Sequence, residues 1–157
     1  MSESTITLGQ AVSDFTLPAT GEQTIRLSDF RGQHVVLYFY PRDNTPGCIS
    51  EGEDFTSRYA EIQALGAEVL GISRDSVASH EKFKARFGFP FPLLADTQET
   101  VCEQFGVMKL KNMYGKQVRG IERSTFLIDR EGILRAQWRK VRIDGHVDEI
   151  IAALKQL

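Results

Sequence analysis

Cysteine is scarce in this 157-residue chain, which has only Cys48 and Cys102. Two thiols are too few for a disulfide-stapled scaffold or for a structural zinc site built on thiolates. An excess of one charge is lacking as well. Nineteen Lys and Arg stand against 21 Asp and Glu, a formal charge of −2, which argues against a dedicated binder of nucleic acid or anionic membranes. Long apolar runs are missing. The longest, Val35 to Tyr40, has six residues, where a membrane-spanning helix takes roughly 20. The first residues, Met-Ser-Glu-Ser-Thr-Ile-Thr-Leu, hold no basic segment leading into an apolar one, so no signal peptide is expected. There is no Gly-rich phosphate loop, no paired-carboxylate site and no metal-ligand spacing, so no cofactor is implied. The three histidines, His34, His80 and His146, are far apart, and each reads as a surface or strand residue. These absences leave a soluble cytoplasmic protein, in whose reducing surroundings cysteines are free, catalytic or redox-active.

What is present suits one globular domain over residues 1–157, with 41% hydrophobic and 25% charged residues. Residues 11–32 read as short strands and turns, and Val35–Tyr40 as a buried central strand. Thr45 is placed to cap a helix with Pro46 at its first position. Phe55, Tyr59, Ile62 and Leu65 carry that helix to about Leu65, where Gly66 stops it. Ala67–Ser73 reads as a strand. Asp75 or Ser76 caps a helix ending at Gly88, and Pro92–Ala95 is a short strand. Asp96-Thr97-Gln98-Glu99 has the form of a capping box opening a short helix that holds Cys102. Ser124–Asp129 and Ile133–Trp138 form a hairpin, and Asp144 caps a last helix with Val147, Ile150, Ile151, Leu154 and Leu157 on one face. Strands alternating with helices predict an α/β domain with a mixed sheet.

Cys48 falls in the first turn of its helix. The leading N–H groups of a helix have no internal partners and carry partial positive charge, which favours a thiolate. Thr45 is within reach of the sulfur. The alternative reading is a small apolar residue at a helix start. A thioredoxin-type dithiol is disfavoured because Thr45 stands where the first Cys of Cys-x-x-Cys would be. A Cys-x5-Arg phosphate loop fails at Asp54, and a Cys/His hydrolase lacks an evident base. A thiolate acting on a small electrophile remains, with a peroxide the leading candidate.

These residues resemble a known family. Pro41-x3-Thr45-x2-Cys48 is similar to the peroxidatic-cysteine signature of peroxiredoxins. Tyr38-Phe39-Tyr40-Pro41, Thr45-Pro46-Gly47-Cys48-x2-Glu51, Gly71–Ser76, Asn112–Lys116 and Gly120–Asp129 resemble the bacterioferritin comigratory protein (PrxQ) subfamily in order along nearly the whole chain. The resemblance implies a thioredoxin-like fold, a central mixed sheet flanked by helices with an N-terminal β-hairpin extension, and thiol peroxidase activity on hydrogen peroxide and organic hydroperoxides. It implies Cys48 as nucleophile, Thr45 as its hydrogen-bond partner, Pro41 as a shield and Arg123 as the group steadying negative charge. Glu51 is expected to orient Arg123, or else to be a surface helix-start carboxylate. Where many such proteins keep a resolving Cys, this chain has Glu53, or Lys84 on the next helix. That points to a one-cysteine mechanism, with thioredoxin, glutaredoxin or glutathione as external reductant. The alternatives are Cys102 as an unusual resolving residue, against its reading as core, and a redox sensor switched by Cys48 oxidation. A monomer or weak homodimer is expected.

Residues 109–142 hold ten Lys and Arg against three acids. They read as a solvated strand face, with docking of an acidic reductant or weak nucleic-acid contact as the functional alternatives. Trp138, Phe89 and Phe91 read as core, with Phe89 or Phe91 bordering the pocket or a dimer contact as the alternative.

Overall fold

The computed structural model describes residues 5–157; the start of the segment read above for targeting lies outside them. A hairpin of β1 (Thr16–Ala19) and β2 (Gln23–Arg26) leads through a 3-10 turn into β3 (His34–Phe39). Then come α1 (Pro46–Ser57), α2 (Tyr59–Ala64), β4 (Ala67–Ser73), α3 (Val77–Phe87), β5 (Leu93–Ala95) and α4 (Thr100–Gln104). A separate ribbon of β6 (Met108–Met113) and β7 (Lys116–Ile121) follows, and β8 (Ser124–Ile128), β9 (Leu134–Arg139) and α5 (His146–Leu154) complete the order.

The main sheet runs β2-β1-β5-β4-β3-β8-β9. It is mixed: β3 pairs in parallel with β4 and antiparallel with β8. This is the α/β, thioredoxin-like architecture expected from the sequence. The expected N-terminal hairpin is β1–β2, and it extends the sheet edge, β1 joining β5 through Ala19 and Leu94.

Every residue of β3 is buried because both faces of the sheet are covered. Leu37 and Phe39 pack on one face with Phe15, Cys102, Phe105 and Phe126. Val36 and Tyr38, with Tyr40 beyond the strand end, pack on the other with Cys48, Phe55, Phe91 and the apolar face of α5. Strand alternation thus separates two cores, and the two cysteines lie on opposite sides of the sheet. Among the described residues no helix is long and apolar enough to cross a membrane.

Four local expectations are corrected. The helix from Pro46 does not run unbroken to Leu65; it breaks at Arg58 (φ −111°, ψ 9°) and restarts as α2. Glu99 (φ 62°), not Asp96, precedes α4. Asp96 nevertheless serves that helix, its carboxylate accepting from the Cys102 N–H at 2.7 Å, because a turn through Thr97 and Gln98 folds it back over the helix start. Gly145, not Asp144, precedes α5, in a left-handed conformation (φ 76°) that suits glycine. The ribbon β6–β7 was not anticipated. Met108-Lys109-Leu110-Lys111 does alternate apolar and polar, but the run is short and most of both strands is exposed. Its turn at Tyr114-Gly115 has positive φ at both residues, as two-residue hairpin turns require.

Candidate active site

Cys48 is the third residue of α1, and only 2% of it is exposed. The first helical bond is Ile49 N–H to Thr45 O, so the Cys48 N–H has no helical acceptor. Thr45 is the N-cap residue by backbone conformation, but its side chain makes no cap bond. Its hydroxyl donates to Arg42 O at 2.8 Å, which pulls the loop tight and leaves the oxygen lone pairs as acceptors. Of the two ways Thr45 could meet the sulfur, as donor or as acceptor, this bond leaves the acceptor role open.

Arg123 precedes β8, and the register of β8 on β3, with Ser124 opposite Phe39, carries its side chain to α1. Its Nη2 lies 3.5 Å from Cys48 Sγ and its Nη1 donates to Glu51 Oε1 at 2.7 Å. Gly47 makes this approach possible: a Cβ there would sit 3.0 Å from Nη2 and 3.3 Å from Ile143 Cδ1. Burial works against the Arg123 charge, but Glu51 and Cys48 outweigh it and hold the guanidinium protonated more firmly than usual.

Glu51 is the more unusual partner. It is 1% exposed, which excludes the surface-carboxylate reading. Its Oε2 is buried with no hydrogen-bond partner among the described residues. Burial, against the pull of Arg123, raises its carboxyl from 4.5 to about 7. One guanidinium thus faces a thiol and a carboxyl that gains and loses its proton near neutrality. Pro41, half-buried, borders cavities on both sides of the loop, one reaching Arg123 and the other Arg42 and Arg74.

Cys102 stays apart. It is fully buried among Leu37, Phe39 and Phe105 in the other core. Burial, with the Asp96 carboxylate beside it, pushes its thiol far above the ordinary range. Glu53 is exposed on α1. Lys84 donates its ammonium to Phe89 O and Phe91 O, so this position ties the end of α3 to the following loop. Phe89 and Phe91 are buried in the core, and Trp138 is half-buried with its ring edge-on to His146.

The sequence reading missed a second polar constellation. All three histidines are buried, although His34 is in a strand as expected. The Nδ1 of His80 is 2.7 Å from Asp43 Oδ2 and its Nε2 is 2.9 Å from Leu94 O. Both ring nitrogens of His80 thus have a partner, one a carboxylate and the other a backbone carbonyl. Tyr40 and Ser79 hydroxyls also donate to Asp43, at 2.6 and 2.7 Å. Burial alone would raise the Asp43 carboxyl, but His80, Tyr40 and Ser79 hold it below its usual value. The Asp43 N–H donates to Asp75. The loop between Pro41 and Thr45 is thereby pinned to α3 and β5. The signal was present: His80 lies three residues after Val77 and three before Phe83, on the apolar stripe of α3. His146 pairs with Thr125 Oγ1 at 2.8 Å, and burial, aided by Arg123, lowers its imidazole to about 4, so it is neutral at pH 7.

Comparison with known proteins follows the same outline. The AhpC/TSA family matches residues 8–137. A putative peroxiredoxin bcp of Coxiella burnetii is 49% identical over 149 residues, covering 95% of this chain and 99% of that protein. Peroxiredoxin Bcp of Bacillus subtilis is 46% identical over 153 residues, covering 98% of each. Among solved structures, Xanthomonas campestris peroxiredoxin Q superposes with a TM-score of 0.89 at 49% identity, covering 98% of this chain and 97% of the other. A trapped intermediate/ligand complex of the X. campestris bacterioferritin comigratory protein, studied for alkyl peroxide reduction, superposes with a TM-score of 0.90 at 48% identity, covering 99% and 98%.

Proposed function

The chain belongs to the AhpC/TSA family and is a peroxiredoxin, a thiol peroxidase, and on that premise we propose that Cys48 is its peroxidatic nucleophile and works without a second cysteine. The observation that carries this reading is the pair of contacts made by Arg123, one nitrogen on Cys48 Sγ and the other on buried Glu51. A fixed guanidinium stabilises the thiolate and then the charge that develops on the leaving oxygen.

The thiolate attacks one oxygen of the peroxide. The S–O bond forms, the O–O bond breaks, and RO⁻ takes a proton to leave as water or an alcohol. Thr45, its own proton committed to Arg42 O, accepts from the peroxide O–H and aligns it. Pro41 shields the sulfur from bulk water. Cys48 becomes a sulfenic acid, which an external thiol from thioredoxin, glutaredoxin or glutathione reduces. Cys102 is a core residue in this scheme, because the sheet stands between it and Cys48. Substrates are hydrogen peroxide and organic hydroperoxides, and the protein works as a monomer or weak homodimer in the reducing cytoplasm, where both cysteines stay free.

The test is one equivalent of peroxide on reduced protein, followed by intact and peptide mass. Gain of one oxygen at Cys48 is expected. Loss of two hydrogens, mapped to a Cys48–Cys102 bridge, overturns the one-cysteine scheme.

A further inference from the structure

Across Arg123 from the buried sulfur lies a cavity of about 540 Å³, which Cys48 itself does not line. Pro41 and Arg123 form its inner wall, so it ends at the guanidinium that touches Cys48. Lys109, Lys111 and Lys140 line it, Leu110 gives it an apolar side, and Glu122 is its one acid. None of the three lysines is in an ion pair among the described residues. Exposed ammonium groups elsewhere are ordinary, but these converge on a concavity across Arg123 from a reactive thiol. The side chain of Lys111 lies along Gly120, where a Cβ would be 3.8 Å from its Nζ. Burial and the charge of Arg123 lower the Lys111 ammonium. Lys140 holds a left-handed backbone (φ 54°) that few non-glycine residues adopt. The next residue anchors it, as the Val141 N–H donates to Arg123 O at 3.0 Å. A strained residue fixed to the backbone of a catalytic one fits a functional rim.

We propose that this cavity is the binding site of the reducing thiol, and that the thiol is a small molecule carrying carboxylates, of the γ-glutamyl-cysteinyl-glycine type. The inference rests on the reading of Cys48 given above. Lys109, Lys111 and Lys140 hold the carboxylates, and Leu110 packs against the thiol's methylene groups. The thiol sulfur approaches along the wall made by Pro41 and Arg123, and that wall shifts to admit it, since Cys48 is buried. The sulfur attacks the sulfenic acid of Cys48. An S–S bond forms, the S–O bond breaks, and hydroxide leaves with the thiol proton as water. A second thiol then exchanges into the mixed disulfide, which releases reduced Cys48 and the oxidised thiol pair.

The experiment first oxidises the full chain with one equivalent of hydrogen peroxide and confirms the sulfenic acid at Cys48 by mass. Glutathione or its diethyl ester is then added, and mixed-disulfide formation is followed by acid quench and mass. Two or three exposed charge contacts together give roughly tenfold. Glutathione is therefore expected to react about tenfold faster than the ester, and the ratio to shrink toward one at about 0.5 M salt. In the Lys109→Gln/Lys140→Gln variant the ratio should also shrink toward one. A ratio is insensitive to the share of misfolded protein. Equal rates for acid and ester overturn the proposal, as does an unchanged ratio in the variant or reaction with a protein thiol only. No sulfenic acid in the first step overturns the reading of Cys48 itself, and that result is seen before any thiol is added.

Discussion

A methyl group on Gly52 would lie 2.4 Å from Cζ of Phe89. No real contact is that short, so the absent side chain of Gly52 sets how closely α1 rests on the aromatic layer beneath it. Phe89 cannot retreat. It stacks on Phe91 with an interplanar angle of 8° and meets Phe83 edge-on. Gly52 lies one helical turn beyond Cys48, so the same contact sets the height of the sulfur. Gly52→Ala is expected to destabilise the fold by about 1–3 kcal/mol through overpacking and to slow oxidation of Cys48 by peroxide. Urea unfolding and rapid-quench oxidation kinetics check this. Wild-type values in both would show that α1 is not wedged in this way.

Arg123→Ala should lower the rate constant of Cys48 oxidation by roughly 10²–10³, the loss typical of one oxyanion donor. Arg123→Lys keeps the charge but cannot touch Glu51 and Cys48 together with a planar fork, so it should fall between. Single-turnover oxidation of the two variants tests this order, and a wild-type rate in Arg123→Ala would remove the residue from the mechanism.

Glu51 makes stability depend on pH with a definite sign. Its folded value, about 7, is above the ordinary 4.5. Its contribution is fully present below about pH 4.5 and is lost as pH rises through 7, by up to about 3 kcal/mol. His146 runs the other way. Its folded value is about 4, below the ordinary 6.5, so its contribution is present above 6.5 and is lost as pH falls through 4. The readout is therefore the difference between wild type and Glu51→Gln in urea unfolding at several pH values. That difference should shift in favour of Glu51→Gln between pH 5 and 8. A constant difference would contradict the assignment.

His80 and Asp43 should behave as one unit. Removing His80 alone leaves a buried carboxylate without its imidazole partner, so His80→Leu is expected to cost about 3–5 kcal/mol. Asp43→Asn combined with His80→Leu should cost clearly less than the sum of the single changes, with a coupling of about 1 kcal/mol or more. A four-point unfolding cycle measures this, and additive costs would mean that the two side chains are merely neighbours.

The strands and helices with one-sided apolar patterning were legible because each meets a core whose period shows in the chain, as in α5 and β3. The loop that presents Cys48 at the start of α1 was legible because Pro41, Thr45, Pro46 and Cys48 are close in sequence. The role of Glu51 was half legible: its place in the first turns of α1 was clear, but not its burial, which depends on Arg123 72 residues away. The Asp43–His80 pair was hidden for the same reason, since a histidine on an apolar stripe does not announce which carboxylate will reach it. The ribbon β6–β7 was overlooked because its alternation, Met108-Lys109-Leu110-Lys111, is only four residues long and the rest of both strands is mostly polar and exposed.

The antiparallel register between β3 and β8 also limits which changes in chain length the protein tolerates. Phe39 faces Ser124 and Tyr38 faces Thr125. This pairing helps fix where Arg123 meets α1. A one-residue deletion within β8 would slide the strand by about 3.3 Å and turn every side chain to the opposite face. Phe126 would leave the core it shares with Phe39, and the guanidinium would lose the sulfur. An insertion in the turn at Arg130-Glu131-Gly132, outside that pairing, would leave the meeting point unchanged. A change of length is therefore ruinous to the site in the five residues of β8, whereas in the turn after Ile128 it would disturb the bonds that Arg130 and Gly132 make to Gly32 and Val12 but not the register of the site.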